Sequence, residues 1–467
     1  MTGSADATQA DGSRRRASGM ALYGLTPQVE KAILSAVDAE RPNQIRGLIR
    51  PLHPADVADL LSRLGPERRR AVIEATRGRF DPEILPYLDE PVREDVFEVL
   101  GIRDVAAALA ELDSDDAVDL MTDLDEEERR PLLEAVPPAE RVVLEQGLTF
   151  PESSAGRLMQ REVVAVPSHW TVGQTIDFMR THEELPESFQ EIYVVAAANH
   201  LEGVIPLSRL LRSKRPVRVA DIMATELHPV PPTTDQEEVA QMFRRYGLVS
   251  TPVVDEAGQL LGRITVDDVV DVIDEEAEED LLKLGGVSES DISSSLLETA
   301  RKRFVWLLVN LVTAGIAASV IGLFEDTIAQ VVALAILAPV VASMGGNAGT
   351  QSLTVAVRAL AMREIGRTNA FRVILKEVSL GIINGAIFGL IVGLVAWAWF
   401  GKPMLGVVIG LALVLNLMAA GLAGMSIPLI LERLGVDPAV ASGVFLTTVT
   451  DVVGFFTFLG LATWLIL

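Results

Sequence analysis

The chain has 467 residues, no cysteine and a net charge of −24, yet its mean hydropathy is positive at +0.33. This length predicts several domains, and the lack of cysteine excludes disulfides and thiolate metal sites, which leaves hard cations with oxygen ligands. Residues 304–467 hold seven basic and seven acidic residues, so the whole net charge lies in 1–303. A part this acidic argues against nucleic acid as a partner and favours cations.

The first 150 residues divide into a short polar segment and a long helical one. Residues 1–19 contain three adjacent arginines but no apolar core behind them, which predicts a disordered leader rather than a secretory signal. Residues 20–150 place apolar residues three and four apart, which predicts a helical domain. An internal repeat with a 60-residue offset predicts a small α-helical solenoid. The repeat matches Leu52, Asp56, Asp59, Leu60, Leu64, Glu67, Arg69 and Arg70 with Leu112, Asp116, Asp119, Leu120, Leu124, Glu127, Arg129 and Arg130.

Residues 151–275 alternate short β-type runs with helical patterns, and two copies can be superposed. The runs at 193–195 and 203–205 match those at 252–254 and 262–264, with the same separation in both copies. This pairing resembles tandem CBS domains, which form a compact α/β regulatory module.

A strongly acidic helix is predicted after the paired repeats. From Asp267 to Asp280, nine of fourteen residues are acidic, and no basic residue appears before Lys283. Like-charge pairs three or four residues apart cost roughly 0.2–0.5 kcal/mol each, which sums here to about 2–4 kcal/mol and is comparable to a two-state switching energy. Because cations would screen this repulsion, we predict a divalent-cation sensor; a merely solvated acidic face is the alternative. We assign 267–300 to this connecting helix and its linker.

Five apolar stretches within 301–467 are long enough to span a membrane. The positive-inside rule predicts their orientation, because basic residues precede the first span and join the second to the third, whereas Glu325 and Asp326 join the first to the second. The amino-terminal part is therefore predicted to be cytoplasmic and the carboxyl terminus to lie outside the cell (inner) membrane. The spans are 304–324, 329–360, 378–400, 404–431 and 439–467.

Asp451 lies near the middle of the fifth span. A carboxylate at that depth costs about 2.5–3.5 kcal/mol on insertion scales, and no Lys or Arg lies within the apolar body of any span to pair with it. Its predicted partner is a cation from solution, although a protonated Asp bonded to a neighbouring helix is the alternative. Mg²⁺ keeps several waters and touches only one or two carboxylates, so we favour Mg²⁺; Mn²⁺, Co²⁺ and Ni²⁺ can use such a site too.

The second span contains Pro339 and a glycine-rich stretch, and we predict that these interrupt the helix. Backbone carbonyls freed at membrane depth are tolerated where they line water, and here they would hold the outer waters of a hydrated ion. Simple helix–helix contact through small residues is the alternative. The residues predicted to line the pore are Gly345, Gly346, Asn347, Gly349 and, from the fifth span, Thr447.

The order of a helical domain, paired CBS repeats, an acidic helix and five spans resembles the MgtE family of Mg²⁺ channels and transporters, from about residue 25 to the end. The most specific stretches are 345–351, Thr450-Asp451 with Gly454, and 266–269 with 283–285. The resemblance implies a homodimer in lipid with one central pore, in which Asp451 is the pore carboxylate. It also implies that bound cytosolic Mg²⁺, acting as substrate and regulator, holds the pore shut through the acidic helix as a plug.

The resemblance further implies a set of sensing carboxylates. They match Asp115, Asp119, Asp235, Glu237, Asp268, Asp271, Glu276, Glu279, Asp280 and Asp437.

Some members of the family bind ATP between the CBS repeats, where a Ser or Thr precedes an Asp by three. Thr265 and Asp268 keep this spacing in the second repeat, whereas the first repeat has Pro206 and Arg209. Glu191 and Gly247 also replace an aromatic and an acidic residue of the family pattern. These departures count against ATP regulation and against one of the cytosolic metal sites.

We therefore expect a Mg²⁺-selective channel for magnesium uptake that Mg²⁺ itself closes, and not an enzyme, because no nucleophile–base pair or phosphate-cradling loop is evident. The alternative is a secondary divalent-cation exporter or cation/proton antiporter, in which Asp451 exchanges a proton for the ion.

Overall fold

The computed structural model describes residues 24–182, 185–186, 188–287, 296–366 and 368–467. The predicted leader at 1–19 and most of the predicted linker after the acidic helix lie outside these residues. The chain forms two compact units, Met1–Ile273 and Asp274–Leu467, which we describe separately.

Among its described residues, the first unit opens with nine short α-helices around one apolar core. Five of them start with proline, whose fixed φ and missing N–H suit the first helical position. The helices are α1 Pro27–Asp38, α2 Pro42–Ile49, α3 Pro54–Arg63, α4 Pro66–Thr76, α5 Glu90–Leu100, α6 Ile102–Glu111, α7 Ser114–Thr122, α8 Glu126–Ala135 and α9 Pro138–Gly147.

The predicted 60-residue repeat corresponds to a recurring arginine contact. The Arg69 guanidinium on α4 donates to the carbonyl oxygens of Leu61 and Leu64, both at 3.0 Å, and so satisfies the end of α3. Sixty residues later, Arg129 on α8 donates to the Leu124 carbonyl oxygen at 2.6 Å. A third arginine, Arg141, makes the same kind of contact behind α8. The repeat is therefore a helix pair whose turn is fixed by an arginine.

The rest of the first unit contains two β-hairpins with helices on their faces. In both hairpins the strands are antiparallel, and the partners Val194 with Gly203 and Val253 with Gly262 are the residues that the superposed sequence copies equate. The elements are β1 Ala165–Pro167, α10 Val172–Thr181, β2 Glu191–Val195, β3 Leu201–Pro206, α11 Leu207–Arg212, α12 Gln236–Tyr246, β4 Ser250–Val254 and β5 Leu260–Thr265.

The segments that open the two copies are exchanged between the hairpins. Met159, which precedes the first hairpin, packs against Gly262 of the second, and Met223 packs against Gly203 of the first. Each glycine leaves the room that the methionine side chain fills. The two copies are therefore one interlocked α/β module, which confirms the predicted tandem CBS fold class.

The acidic helix, α13, covers Val266–Gly285 and so contains the whole acidic run from Asp267 to Asp280. It follows β5 without a break. The boundary between the two units falls within it, after Ile273.

The described part of the second unit holds five helices long and apolar enough to span a membrane, as predicted. The second of them begins at Ala333, not near 329, because a separate short helix, α15 (Glu325–Gln330), precedes it. The predicted interruption of this second helix is wrong. The helix, α16 (Ala333–Ala361), continues past Pro339 and through Gly345–Gly349. The long helices are α14 Leu296–Gly322, α16 Ala333–Ala361, α17 Ala370–Phe400, α18 Pro403–Arg433 and α19 Pro438–Ile466, and α15 is Glu325–Gln330.

Glycines bring α17 and α18 into close backbone contact. Gly381, Gly385, Gly389 and Gly393 recur every four residues on α17 and form one face. A methyl group at Gly389 would lie 2.6 Å from the carbonyl oxygen of residue 410 on α18, so only glycine fits there. This small-residue packing is typical of membrane helices, and it gives the unit a rigid scaffold.

Candidate cation sites

Asp451 lies beside the buried ridge of α19. Leu446, Thr450, Gly454 and Phe458 recur every four residues and are buried, whereas Asp451 is half-buried at the edge of that ridge. No ion-pair partner for its carboxylate lies among the described residues. Among the residues that the structure describes, no opposite charge therefore offsets the cost of a charge at Asp451.

The residues predicted to line the pore fall into two groups. Asn347 and Thr447 are exposed, and among the described residues no side chain or neighbouring helix lies within 4 Å of the Cβ position of Gly346. Gly345 and Gly349 instead are buried, and methyl groups at these positions would overlap Asn416 of α18 and Leu446 of α19.

The backbone carbonyls of 345–349 keep their helical hydrogen bonds, because α16 continues through this stretch. The Gly346 carbonyl oxygen also accepts a hydrogen bond from Thr350 Oγ1 at 2.9 Å. Gly345 and Gly349 make the helix–helix contact through small residues that was the alternative prediction for this stretch. A role in pore lining stays a prediction for the side of α16 that carries Gly346 and Asn347.

A carboxylate cluster lies in the first unit, where the start of α7 meets the start of α13. Asp115 is 6% exposed, and neither of its Oδ atoms has a hydrogen-bond partner of normal geometry among the described residues. Burial raises the pKa of Asp115 well above its usual range, and the nearby carboxylates of Asp268 and Asp116 raise it further. Such a group lacks a counter-ion, which a cation would supply.

The neighbours of Asp115 are perturbed in the same direction. Burial and the charges of Asp268 and Asp113 raise the pKa of Asp116 to about 7. Burial raises the pKa of Asp268 to about 6, although the hydrogen bond from Thr265 Oγ1 to Asp268 Oδ2, 2.7 Å long, opposes this shift. Asp113 and Asp116 are missing from the set predicted from the sequence. Three acidic residues among the four at 113–116 are the signal that marks them.

Of the other predicted carboxylates of the first unit, Asp119 lies one turn after Asp116 on α7, and its charge also raises the pKa of Asp116. Burial raises the pKa of Asp119, whose charged neighbours are Asp123, Arg93 and Arg157. Asp235 begins α12 as its N-cap and accepts a hydrogen bond from the backbone N–H of Glu237 at 2.9 Å. The structure thus gives Asp235 a local helix-capping role, and Asp271 lies exposed on α13.

In the second unit, the end of α13 meets the start of α19 through Lys283. The Lys283 ammonium pairs with Glu279 and lies 2.9 Å from Asp437 Oδ2. Asp437 also caps α19 by accepting from the Ala439 N–H at 2.8 Å. Burial lowers the pKa of Lys283, but hydrogen bonds to Glu279 and Asp437 outweigh it and raise this pKa.

Asp280 completes this second group, and Glu276 lies one turn before it. Burial, followed by the charge of Asp437, raises the pKa of Asp280. The ammonium of Lys283 therefore already lies among the carboxylates of Glu279, Asp280 and Asp437. Lys283 is absent from the predicted set, although it is the first basic residue after the acidic run. Within the described part of the chain, no three Asp, Glu or His side chains converge tightly enough to hold a bare metal ion.

The predicted nucleotide positions are joined by hydrogen bonds within the first unit. Ser250 Oγ donates to Glu191 Oε2 at 2.6 Å and lies 3.2 Å from the Tyr193 hydroxyl. Thr265 bonds Asp268, as described above. The expectation that the departures at these positions count against ATP regulation stays a prediction.

In the part of the chain that the structure describes, five membrane-length helices, a half-buried aspartate within one of them and clustered acidic side chains are the features of a multi-pass membrane protein that transports cations. Three family models match the chain: "Divalent cation transporter" at 338–461, "MgtE intracellular N domain" at 52–153, and "CBS domain" at 155–215 and 219–275. Together with the relatives described next, they show that the chain belongs to the MgtE family.

Two similar relatives are each named "Magnesium transporter MgtE". The protein of Bacillus subtilis (strain 168) is 34% identical over 421 residues, which cover 90% of this chain and 93% of the relative. That of Thermus thermophilus is 35% identical over 449 residues and covers 94% and 99%. A solved structure described as "Crystal structure of the cytosolic domain of the Mg2+ channel MgtE in complex with ATP" is 31% identical, with a TM-score of 0.49, and covers 52% of this chain and 99% of its own.

Proposed function

We propose that this protein is a Mg²⁺ channel whose pore contains Asp451 and which cytosolic Mg²⁺ closes. The observation that carries the proposal is the half-buried carboxylate of Asp451 near the middle of α19, without an ion-pair partner among the described residues. Its relatives are named magnesium transporters, which supports Mg²⁺ as the ion. Replacing Asp451 and measuring Mg²⁺ flux into proteoliposomes tests the proposal.

The pore requires more than one chain. One carboxylate cannot strip a divalent ion of its water, but two carboxylates related by a dimer axis can hold a hydrated Mg²⁺ through its waters. Asn347, Thr447 and Asp451 are exposed or half-buried in the single chain and are available to such a partner. The proposed assembly is therefore a homodimer in the cell membrane, with the amino terminus in the cytoplasm and the carboxyl terminus outside.

Regulation is proposed to act through two carboxylate groups, one in each unit. Asp115 is buried, Asp116 and Asp268 are half-buried, and among the described residues no basic side chain forms an ion pair with them, whereas Glu279, Asp280 and Asp437 lie around the ammonium of Lys283. Bound Mg²⁺ would offset the repulsion in both groups and stabilise the closed arrangement. When Mg²⁺ is depleted, the repulsion favours opening.

The first group predicts a pH-dependent effect of Mg²⁺ on stability. Because the folded-state pKa values of Asp116 and Asp268 are about 7 and about 6, the folded protein binds protons that the unfolded chain releases above about pH 4. Without Mg²⁺, the contribution of these groups to stability therefore falls as pH rises from about 4 to 7. Mg²⁺ needs the ionised carboxylates, so we expect its thermal stabilisation to be large at pH 7.5 and small at pH 5.

Thermal unfolding with and without 10 mM Mg²⁺ at the two pH values measures this difference. Asp116→Asn should stabilise the Mg²⁺-free protein at pH 7.5 and reduce the Mg²⁺ effect, whereas Glu111→Gln, at an exposed position on α6, should change neither. An equal Mg²⁺ effect at both pH values would contradict the assignment.

The second group predicts that Lys283 acts as a permanent cation. Lys283→Met keeps most of the side-chain volume but leaves three carboxylates without their ammonium. We expect the melting temperature in EDTA to fall by about 2–4 °C, which corresponds to about 1 kcal/mol for a unit of this size, and Mg²⁺ to restore it. Lys283→Arg keeps the charge and is the matched control. If Lys283→Met melts like the parent in EDTA, the ammonium does not stabilise this group.

An antiporter remains the competing function, because a carboxylate without a counter-charge can also exchange a proton for an ion. The two mechanisms differ in their driving force. A channel carries Mg²⁺ down the electrochemical gradient at equal pH on both sides, whereas an antiporter needs a proton gradient. Flux that stops when the pH difference is removed would favour the antiporter.

A further inference from the structure

Asn416 is a fully buried polar side chain within the apolar body of α18. It is 0% exposed and follows the run Leu413-Val414-Leu415. A polar group in the middle of a membrane helix is costly unless it is bonded, and it is therefore a candidate for a specific role. The pore-lining prediction does not include it.

Its side chain lies between two other helices. Nδ2 donates to the carbonyl oxygen of Val341 on α16 at 2.8 Å, while Oδ1 has no hydrogen-bond partner among the described residues. A methyl group at Gly454 of α19 would lie 2.7 Å from Nδ2, and one at Gly345 of α16 would overlap it. The amide therefore fills a slot whose two walls are glycines.

The slot lies within the buried ridges of both neighbouring helices. Val341, Gly345 and Gly349 form the ridge of α16, and Thr450 and Gly454 belong to that of α19. Successive residues of a helix are rotated by about 100°, so the residue that follows a ridge position lies on an adjoining face. Gly346 follows Gly345, and Asp451 follows Thr450.

The rotation of α16 and α19 therefore decides where the proposed pore residues point. A leucine of similar size would fill the slot without leaving a buried oxygen unpaired, so packing alone does not explain the amide. The directional bond from Nδ2 to Val341 fixes α16, and the close fit of Gly454 fixes α19. The fit at Gly454 acts three residues, about one helical turn, from Asp451.

We infer that Asn416 is a positioning residue that sets the rotation of α16 and α19, and with it the direction of Asp451. The functional part of this inference rests on the proposed pore. The structural part does not, because the rotation of α19 can be measured without transport.

The cysteine-free sequence provides that measurement. A single cysteine at Thr447, which is exposed, should react with a water-soluble methanethiosulfonate far faster than one at Thr450, which is 0% exposed. Asn416→Ala should reduce the ratio of the two rates at least about tenfold, because α19 loses its fixed rotation. Asn310→Ala is the matched control, since Asn310 also donates to a helix carbonyl, that of Trp306 at 2.9 Å, but is exposed on α14.

A second pair of variants tests the fit between Asn416 and Gly454. Gly454→Ala should disturb the labelling ratio when Asn416 is present, and Asn416→Ala should relieve this disturbance because it removes the overlapping amide. Mg²⁺ flux of Asn416→Ala should show a raised half-saturating Mg²⁺ concentration. An unchanged labelling ratio in Asn416→Ala, or Gly454→Ala behaving like the parent, would overturn the inference. A changed ratio in a protein whose flux does not depend on Asp451 would instead overturn the proposed pore.

Discussion

Asp451→Ala is expected to abolish Mg²⁺ flux, with a loss of at least about 100-fold. Two unit charges about 4 Å apart attract by about 4 kcal/mol at an effective dielectric constant of about 20, and a divalent ion doubles this attraction. Losing even about 2.7 kcal/mol of stabilisation at the pore's most restrictive position slows passage about 100-fold. Mg²⁺ uptake into proteoliposomes loaded with a Mg²⁺-sensitive dye measures the rate.

Asp451→Asn separates charge from packing, because it preserves the shape of the side chain. It should lose nearly as much flux as the alanine variant, whereas Asp451→Glu should retain part of it. Removing a membrane charge without a counter-ion does not destabilise the fold, so all three variants should elute like the parent in detergent. Flux at the parent rate in Asp451→Ala would remove the pore assignment.

Neutralising Glu276, Glu279 and Asp280 is expected to weaken closure by Mg²⁺. These side chains are half-buried at the end of α13, where Lys283 and Asp437 also lie. Without their charges, neither the repulsion that favours opening nor the attraction for Mg²⁺ persists. In patch recordings, the Mg²⁺ concentration that halves the open probability should rise at least about tenfold, and the dose–response curve should become shallower.

The same helix provides a control of equal charge. Asp274, Glu275 and Glu278 are exposed, so their replacement by Asn, Gln and Gln removes three charges without touching the group around Lys283. This control should shift the Mg²⁺ dependence little, because exposed charges are screened by solvent and salt. Equal shifts in both triple variants would show that α13 responds to its total charge. An unchanged Mg²⁺ dependence in the first variant would count against a sensor.

Features with a strong periodic signal were predictable from the sequence. The five apolar stretches became five helices, the superposed copies became two hairpins in the same register, and the acidic run became α13. Burial is what makes these patterns readable, since one face or one whole segment must be apolar. Asp451 was predictable for the converse reason, because a charge in an apolar span is conspicuous.

Features that depend on contacts between distant segments were not predictable. Met159 and Met223 each pack against the hairpin of the other copy, and this packing leaves no local pattern in the sequence. The ion pair between Lys283 and Asp437 leaves none either. The glycines of α16 were read as breaks, because sequence alone cannot show that Asn416 and Leu446 pack against them and support a continuous helix. Asn416 itself carried a usable signal, a lone amide in an apolar run.

The most direct test of the proposed Mg²⁺ channel is Mg²⁺ uptake by the unmodified protein in proteoliposomes. The pH is equal on both sides, and potassium with valinomycin sets an inside-negative potential. A potential of 100 mV favours entry by about 4.6 kcal/mol per divalent ion. A channel that cytosolic Mg²⁺ closes should show rapid uptake that needs no proton gradient and that falls when millimolar Mg²⁺ is present on the cytosolic side. Uptake that appears only with a pH difference, or that is indifferent to cytosolic Mg²⁺, would contradict the proposed channel.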